Sequence, residues 1–298
     1  VSLRLYPHNE LGAAEVLGEL CAQAGLALRS GFDGIMTSEH HGGFAGYLST
    51  PLQVATFVLE ENPTGWAAAC PLLLPLRSTA LLAEEVAWLS IRHPGRVGLG
   101  VAVGALPSDF EAAGAPHHDA VDRFRTELPR LADLLRGRTL GLLAGDPALQ
   151  ACASHPVPVL SAAVSAGAAR RAAGCGVGIL MEGMSPVDRL AALTRAYRES
   201  GGSGPVVLIR RVWLGEPHHE LIDRQRRAYD SYASTVGFGG DQTLSANDAG
   251  ALAEQLTDVM ERSGADALNL RLHLPGMSPE AIRDQIIGVG SDVLQAMR

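Results

Sequence analysis

Two hydrophobic rhythms alternate along this chain. Short apolar runs bounded by turn residues are separated by longer stretches whose apolar positions recur at helical spacing. The first pattern predicts buried strands and the second amphipathic helices. Leu3 to Tyr6 predicts a first strand, ending at Pro7-His8-Asn9. Ala13 to Leu28 predicts a helix with Val16, Leu17, Leu20, Ala24 and Ala27 on one stripe, stopped by Gly31. Gly34 to Met36 is the second strand, and Pro51 opens an apolar helix to about Leu59. Asn62-Pro63-Thr64-Gly65 turns into strand three, Trp66 to Leu73. Ser78 caps the helix that carries Leu81, Leu82, Val86 and Leu89, and His93-Pro94-Gly95-Arg96 leads into strand four, Val97 to Val103.

The second half repeats the alternation. Asp109-Phe110 is assigned to a long loop, Asp119 to Arg136 to a helix, and the aperiodic Thr139 to Pro156 to an irregular connection. Strand five, Val157 to Ala162, precedes a helix from Ser165 to Ala173; strand six, Val177 to Met181, precedes one from Pro186 to Glu199. Ser200 to Pro205 is a turn, Val206 to Trp213 strand seven, and His218 to about Thr235 a helix. The glycine-rich Gly237 to Asp241 is a candidate cover for an active site. Ala249 to Arg262 is a helix, Ala267 to Leu272 strand eight, and Pro279 to Met297 the closing helix. Strands alternating with helices in this number give an α/β fold, a (β/α)8 TIM barrel, with residues 1–298 as one domain.

Composition narrows the function. Hydrophobic residues make up 47% and aromatics only 5%, so the core is aliphatic. A net charge of −8 argues against a nucleic-acid partner, which needs a basic patch. Cys21, Cys70, Cys152 and Cys175 form no CxxC pair, which suits a reduced compartment and neither zinc ribbons nor disulfides. No apolar run approaches the ~18 residues of a membrane span. The first residues lack the basic and apolar regions of a signal peptide. A cytoplasmic protein with no membrane partner is expected.

Candidate chemistry concentrates after the second strand. Glu39, His40 and His41 follow it at once, on the face where barrels of this kind carry their active sites; ordinary loop polarity is the competing reading. The adjacent pairs His40-His41, His117-His118 and His218-His219 do not converge, and no HxH or HExxH spacing occurs, so no metal site is expected. Gly98 to Gly104 has GxGxxxG spacing but lies in and just after a strand with no helix directly following, so it is not a dinucleotide loop. Ser165-Ala166-Gly167 opens a helix after strand five, where a hydroxyl and backbone N–H groups can cradle a phosphate; the same geometry is a plain N-cap. Ser278-Pro279 offers a rival helix N-terminus after strand eight. Of Arg210 and Arg211, alternation turns one toward the barrel axis.

Gly31-Phe32-Asp33, the short strand and Glu39-His40-His41 resemble the second strand of the bacterial luciferase-like flavin-dependent oxidoreductases. The resemblance recurs in order at Leu74-Pro75 with Ala83-Glu84-Glu85, at Gly95 to Gly104, at Ser165-Ala166-Gly167 and at Ala228-Tyr229-Asp230-Ser231-Tyr232. It implies a luciferase-like barrel and a monooxygenase that takes reduced FMN from a separate flavin reductase and uses O2 to oxidise a small organic substrate. It implies His40 as catalytic base, with Glu39 beside it to tune or orient it. The FMN phosphate is expected at Ser165, Ala166 and Gly167, and the ring at Cys70-Pro71, where several members carry a cis bond; a trans Pro71 at a bulge is the alternative. Val103 takes the place of luciferase's phosphate-binding arginine and Val164 that of an acidic residue before the serine. Arg77, after strand three, is one arginine that compensates; Arg210 matches an arginine of many relatives and is assigned as the inward one. Pairing through the helices after strands two and three implies a homodimer. Two alternatives stay open: a deazaflavin-dependent hydride transferase of the same fold, and a non-catalytic flavin-binding or dimer-partner subunit.

Overall fold

A strand that is apolar on both faces has to be covered from both sides. A computed structural model describes residues 1–44, 46–230 and 242–298, and its strands meet that demand by closing into a barrel with helices outside. In chain order the first half runs β1 (Ser2–Arg4), α1 (Ala13–Ser30), β2 (Gly34–Thr37), α2 (Pro51–Glu61), β3 (Trp66–Leu73), α3 (Thr79–Arg92), β4 (Val97–Ala102), α4 (Pro107–Ala112), α5 (Ala120–Leu134) and α6 (Pro147–Ala151). The second runs β5 (Val159–Ala162), α7 (Ala166–Gly174), β6 (Gly178–Met181), α8 (Val187–Glu199), β7 (Val206–Leu214), α9 (His219–Asp230), β8 (Leu244–Ala246), α10 (Ala249–Ser263), β9 (Ala267–Arg271) and α11 (Pro279–Gly288). Parallel pairing runs from β1 to β7 in order, and β9 closes the ring between β7 and β1. Eight strands therefore form the expected barrel.

Several details depart from the sequence reading. Asp109 and Phe110 lie in α4, a short helix opened by Pro107, rather than in a loop. The aperiodic connection holds α6, whose N-cap Asp146 accepts the Leu149 N–H at 2.8 Å. β8 is an added strand that pairs in parallel with the last residues of β7, Val212 to Leu214. The candidate cover at Gly237 to Asp241 lies outside the described residues, as does the end of the helix expected to reach Thr235. Gly31 stops α1 in the left-handed region at φ 115°, which favours glycine.

Alternation sorts the side chains into two cores. Met36, Ala68, Cys70, Leu160, Leu180 and Val207 pack inside the barrel. Leu3, Ile35, Leu99, Val206, Leu208 and Leu270 pack between barrel and helices. Inside, β4 presents Gly98 and Gly100 because β3 comes too close for anything larger; a Cβ on Gly100 would lie 2.1 Å from Cys70 Sγ. Burial pushes the Cys70 thiol up to about 11, against the opposing pull of the nearby Arg4 charge. At the carboxyl end of this interior sits His273, buried, stacked on Tyr6 at 5.7 Å and edge-on to His8 at 4.8 Å. Neither of its ring nitrogens has a hydrogen-bond partner among the described residues. Burial first, then the charges of His8 and Arg271, hold its pKa well below the ordinary histidine value.

Two expectations follow from this packing. Gly100→Ala should destabilise by about 1–3 kcal/mol, the usual cost of overpacking, with Cys70→Ala recovering part of the loss in denaturant melts of the double variant. Full additivity of the two changes would show that the contact is not the cause. His273, whose folded pKa is depressed, contributes stability that is complete above its unfolded pKa of about 6.5 and falls as pH drops below it toward the folded value. The slope approaches about 1.4 kcal/mol per pH unit for one proton. His273→Phe should flatten the pH dependence of the denaturation midpoint on the acid side; an unchanged slope would remove His273 as its source.

Candidate active site

The carboxyl ends of the strands form a mouth, and β2 delivers the residues of interest to it. Met36, Ser38 and His40 share the inward alternation, whereas Thr37 turns outward and donates to the Pro51 carbonyl at 3.3 Å. The backbone beyond β2 stays extended, with the Glu39 N–H on Pro71 O at 3.1 Å and the His40 N–H on Leu48 O at 2.9 Å. Those two bonds fix which side of the chain each side chain leaves from.

His40 meets Asp109. Its Nδ1 lies 2.7 Å from Asp109 Oδ2, and the other oxygen, Oδ1, accepts the His41 N–H at 2.7 Å. Asp109 is fully buried, while the His40 side chain keeps 19% of its surface exposed. A carboxylate can only accept here, so Nδ1 carries the hydrogen and Nε2 presents a lone pair to the mouth. Nε2 has no partner among the described residues. Phe44 and Tyr47 flank the ring at 4.9 and 4.5 Å between centroids and cover it from the loop side.

Glu39 does not orient His40. Extended backbone sends neighbouring side chains to opposite sides, so Glu39 points away, toward β3 and α3. It accepts the Leu73 N–H at 2.5 Å, His41 Nε2 at 3.0 Å and an Arg77 guanidinium N–H. Arg77 is thereby committed to Glu39. Arg210 also departs from its expected orientation. It alternates with Val206, Leu208 and Val212 on the helix side of β7, where its Nη1 donates to Gly183 O at 3.2 Å and Gln242 O at 3.4 Å. Burial lowers its pKa, with Glu182 pulling the other way. Arg211, in phase with the lumen residue Val207, is the inward arginine, and it reaches Gln225 of α9.

The wall of the mouth opposite the aromatic loop is made of small residues. The Cys70-Pro71 peptide is cis. Beside it, Gly100, Ala102 and Ala162 face inward from β4 and β5, and Val103 follows β4, half-buried. Ser165 caps α7, its Oγ accepting the Ala168 N–H at 3.3 Å, which leaves the N–H groups of Ala166 and Gly167 without an intrahelical acceptor. Arg189 of α8 reaches the same turn and donates to Val164 O at 3.3 Å. Ser38 Oγ is buried with no partner among the described residues. Among the described residues no cluster of His, Cys, Asp or Glu could hold a metal ion, and no helix is long and apolar enough to cross a membrane. Asp109 and Tyr47 are the contributors that sequence reading passed over, and of the two arginines of β7 it chose the one that faces the helices. Asp109 has no local mark, because its partner is 69 residues away.

Comparison with known proteins places this geometry in context. The uncharacterized protein Rv0940c of Mycobacterium tuberculosis is 30% identical over 168 residues, 53% of this chain and 52% of that protein, and Mb0965c of Mycobacterium bovis matches equally. The chain thus spans about half the length of the curated relatives it matches. Monooxygenase RslO1 from Streptomyces bottropensis shares the fold with a TM-score of 0.80 at 19% identity, over 100% of this chain and 99% of that one. The oxygenating constituent of 3,6-diketocamphane monooxygenase from Pseudomonas putida, solved in complex with FMN, has a TM-score of 0.78 at 18% identity, over 100% and 98%. An F420-dependent secondary alcohol dehydrogenase, holding an F420-acetone adduct, has a TM-score of 0.75 at 14% identity, over 100% and 98%. The sequence profile described as luciferase-like monooxygenase matches residues 3–293, nearly the whole chain. This chain belongs to the luciferase-like monooxygenase family.

Proposed function

We propose that this member of an oxidoreductase family binds reduced FMN, delivered by a separate reductase, in the carboxyl mouth of its barrel and uses O2 to oxidise a small organic substrate. The observation that carries the reading is the His40–Asp109 pair, a histidine with one nitrogen held by a buried carboxylate and the other open to the mouth. Such a pair has the form of a proton carrier, with one nitrogen anchored and the other free to exchange a proton with a bound molecule. The residues fit a flavin: Cys70, Pro71, Gly100 and Ala102 leave a wall against which a flat ring can lie. Ser165 and the N–H groups of Ala166 and Gly167 supply an anion cradle for its phosphate, and Val103 lies between the two. Arg189 brings a guanidinium to that cradle, which answers the arginine replaced by Val103. Arg210 is set aside as a ligand because it faces the helices.

Reduced FMN held by the Ser165 cradle and the Cys70-Pro71 wall would supply the electrons for O2 activation. His40 Nε2 takes or returns the proton that this chemistry moves, Asp109 holds its ring in one tautomer, and Phe44 and Tyr47 keep bulk water from it. A deazaflavin in place of FMN is the second reading, favoured by the uncharged Val103. A silent subunit would have no use for the His40–Asp109 pair. We also infer a homodimer through α2 and α3: Leu81, Trp88 and Ile91 leave one face of α3 at 61, 52 and 45% exposure, an apolar stripe suited to a second copy.

Anaerobic titration should give tighter binding of FMN than of deazaflavin, and Ser165→Ala should cost about 1 kcal/mol, roughly fivefold in affinity. The reverse preference would hand the site to the second reading, and unchanged affinity would move the phosphate elsewhere. In single-turnover oxidation of the bound reduced cofactor, His40→Ala should lose about 10²–10⁴ in rate, with Asp109→Asn losing part of that through the wrong tautomer. A variant that melts early yet reacts at the parent rate would return His40 to a structural role.

A further inference from the structure

The barrel lumen carries a row of arginines that the proposed proton chemistry does not use. The β7–β9 ladder sets Arg211 opposite Arg271. The β1–β9 ladder sets Ser2 opposite Asn269 and Leu3 opposite Leu270, which brings Arg4 next in line beside Arg271. All three share the inward phase: β7 through Val207, β9 through Ala267 and Asn269, and β1 through Ser2, whose hydroxyl accepts from Asn269 Nδ2 at 2.9 Å. Three neighbouring strands therefore send guanidinium groups into one side of the lumen, below the mouth that holds His40.

Arg4 is the member that asks for a ligand. It is 3% exposed, and its Nε donates to the neutral Asn269 Oδ1 at 2.7 Å. Its Nη2 is buried with no acceptor, and none of its N–H groups meets a carboxylate among the described residues. Its charge also pulls against the burial of the Cys70 thiol in the same barrel interior. Arg271 leans the same way up the barrel, its guanidinium 4.2 Å from the Tyr6 ring centroid and its Nε on His273 O at 3.3 Å. Arg211, itself half-buried, continues the row to the buried Gln225 of α9. A cation taken out of water without a counter-charge is costly. Retaining Arg4 here makes sense when an anion meets it, with Arg271 and Arg211 lined up beside it. The planar fork of a guanidinium matches a charge shared over two atoms, as in a carboxylate.

We propose that Arg4, Arg271 and Arg211 form an anion subsite in the lumen that holds a small delocalised anionic group beneath the mouth. That group is either the carboxylate of an acidic substrate or the anionic ring of the reduced cofactor. The second source rests on the flavin reading; the first does not. Two arms separate them, both on the full-length chain. In the first, benzoate and its uncharged counterpart benzyl alcohol are titrated calorimetrically into the flavin-free protein. In the second, oxidised and reduced FMN are titrated anaerobically. Each is repeated with Arg4→Met, which replaces a buried charge by an apolar side chain of similar length and should leave the fold intact.

Benzoate binding that benzyl alcohol does not match, weakened about tenfold or more by Arg4→Met, supports the subsite and assigns it to an acidic substrate. If benzoate is silent, reduced FMN binding about tenfold tighter than oxidised, with the preference lost in Arg4→Met, supports it and assigns it to the ring. Benzoate acting like benzyl alcohol while both FMN forms bind alike overturns the subsite, as does an Arg4→Met protein that matches the parent in both arms. Oxidised FMN that still binds in those cases leaves the flavin reading standing. FMN that never binds removes that reading and leaves the benzoate arm to decide. Should Arg4→Met fail to fold, Arg211→Met at the partly exposed end of the row is judged by the same criteria.

Discussion

A carboxylate closed off from solvent ties the mouth of this barrel together. Asp109 comes from α4, the short helix after β4, and both of its oxygens are spent on the loop after β2, one on the His40 ring and one on the His41 N–H. Ionised groups are expensive to bury unless their hydrogen-bonding capacity is met. The arrangement therefore fixes the two segments relative to one another, because any shift leaves a buried charge exposed to that cost. The constraint continues outward. The His41 ring is bonded to Glu39, and Glu39 also takes an N–H from Leu73 and one from Arg77. Loops from three strands are thus locked by two buried carboxylates that face opposite sides of one extended segment.

The mouth is divided by charge and by size. From β7 through β9 to β1 its inward residues are large and cationic or aromatic: Arg211, Arg271, His273, Arg4 and Tyr6. From β3 to β5 they are small: Cys70, Gly100, Ala102 and Ala162. The close approach of Cys70 to Gly100 leaves no room for a larger residue on β4 there. The whole chain carries a net charge of −8, yet β1, β7 and β9 each turn an arginine inward. Net charge bears on solubility and long-range steering, whereas a binding site feels the groups that the strands turn inward.

The fold was largely legible in the chain. Apolar runs of strand length, separated by helical periodicity and punctuated by Gly31, Pro51 and the Ser200 to Pro205 turn, specify local states through short-range sterics and burial. Those forces act between residues a few positions apart, so the order of strands and helices could be read directly. What escaped were short elements with few residues to show a period, such as α4, α6 and β8.

Of the candidate site, the strand-end position of His40 was legible, its partner and the orientation of its neighbours much less. That His40 stands at a strand end follows from the local pattern. That Asp109 holds it does not, because the two meet only when β2 and β4 bring their loops to the same rim. The direction of Glu39 and the choice between Arg210 and Arg211 hang on the phase of one strand, and a shift of one residue inverts every side chain. That phase is set by the ladders to neighbouring strands, which no single stretch of sequence contains. The sequence by itself determined which residues arrive at the mouth. Only the closed barrel decided which of them face one another, since that depends on contacts between segments far apart in the chain.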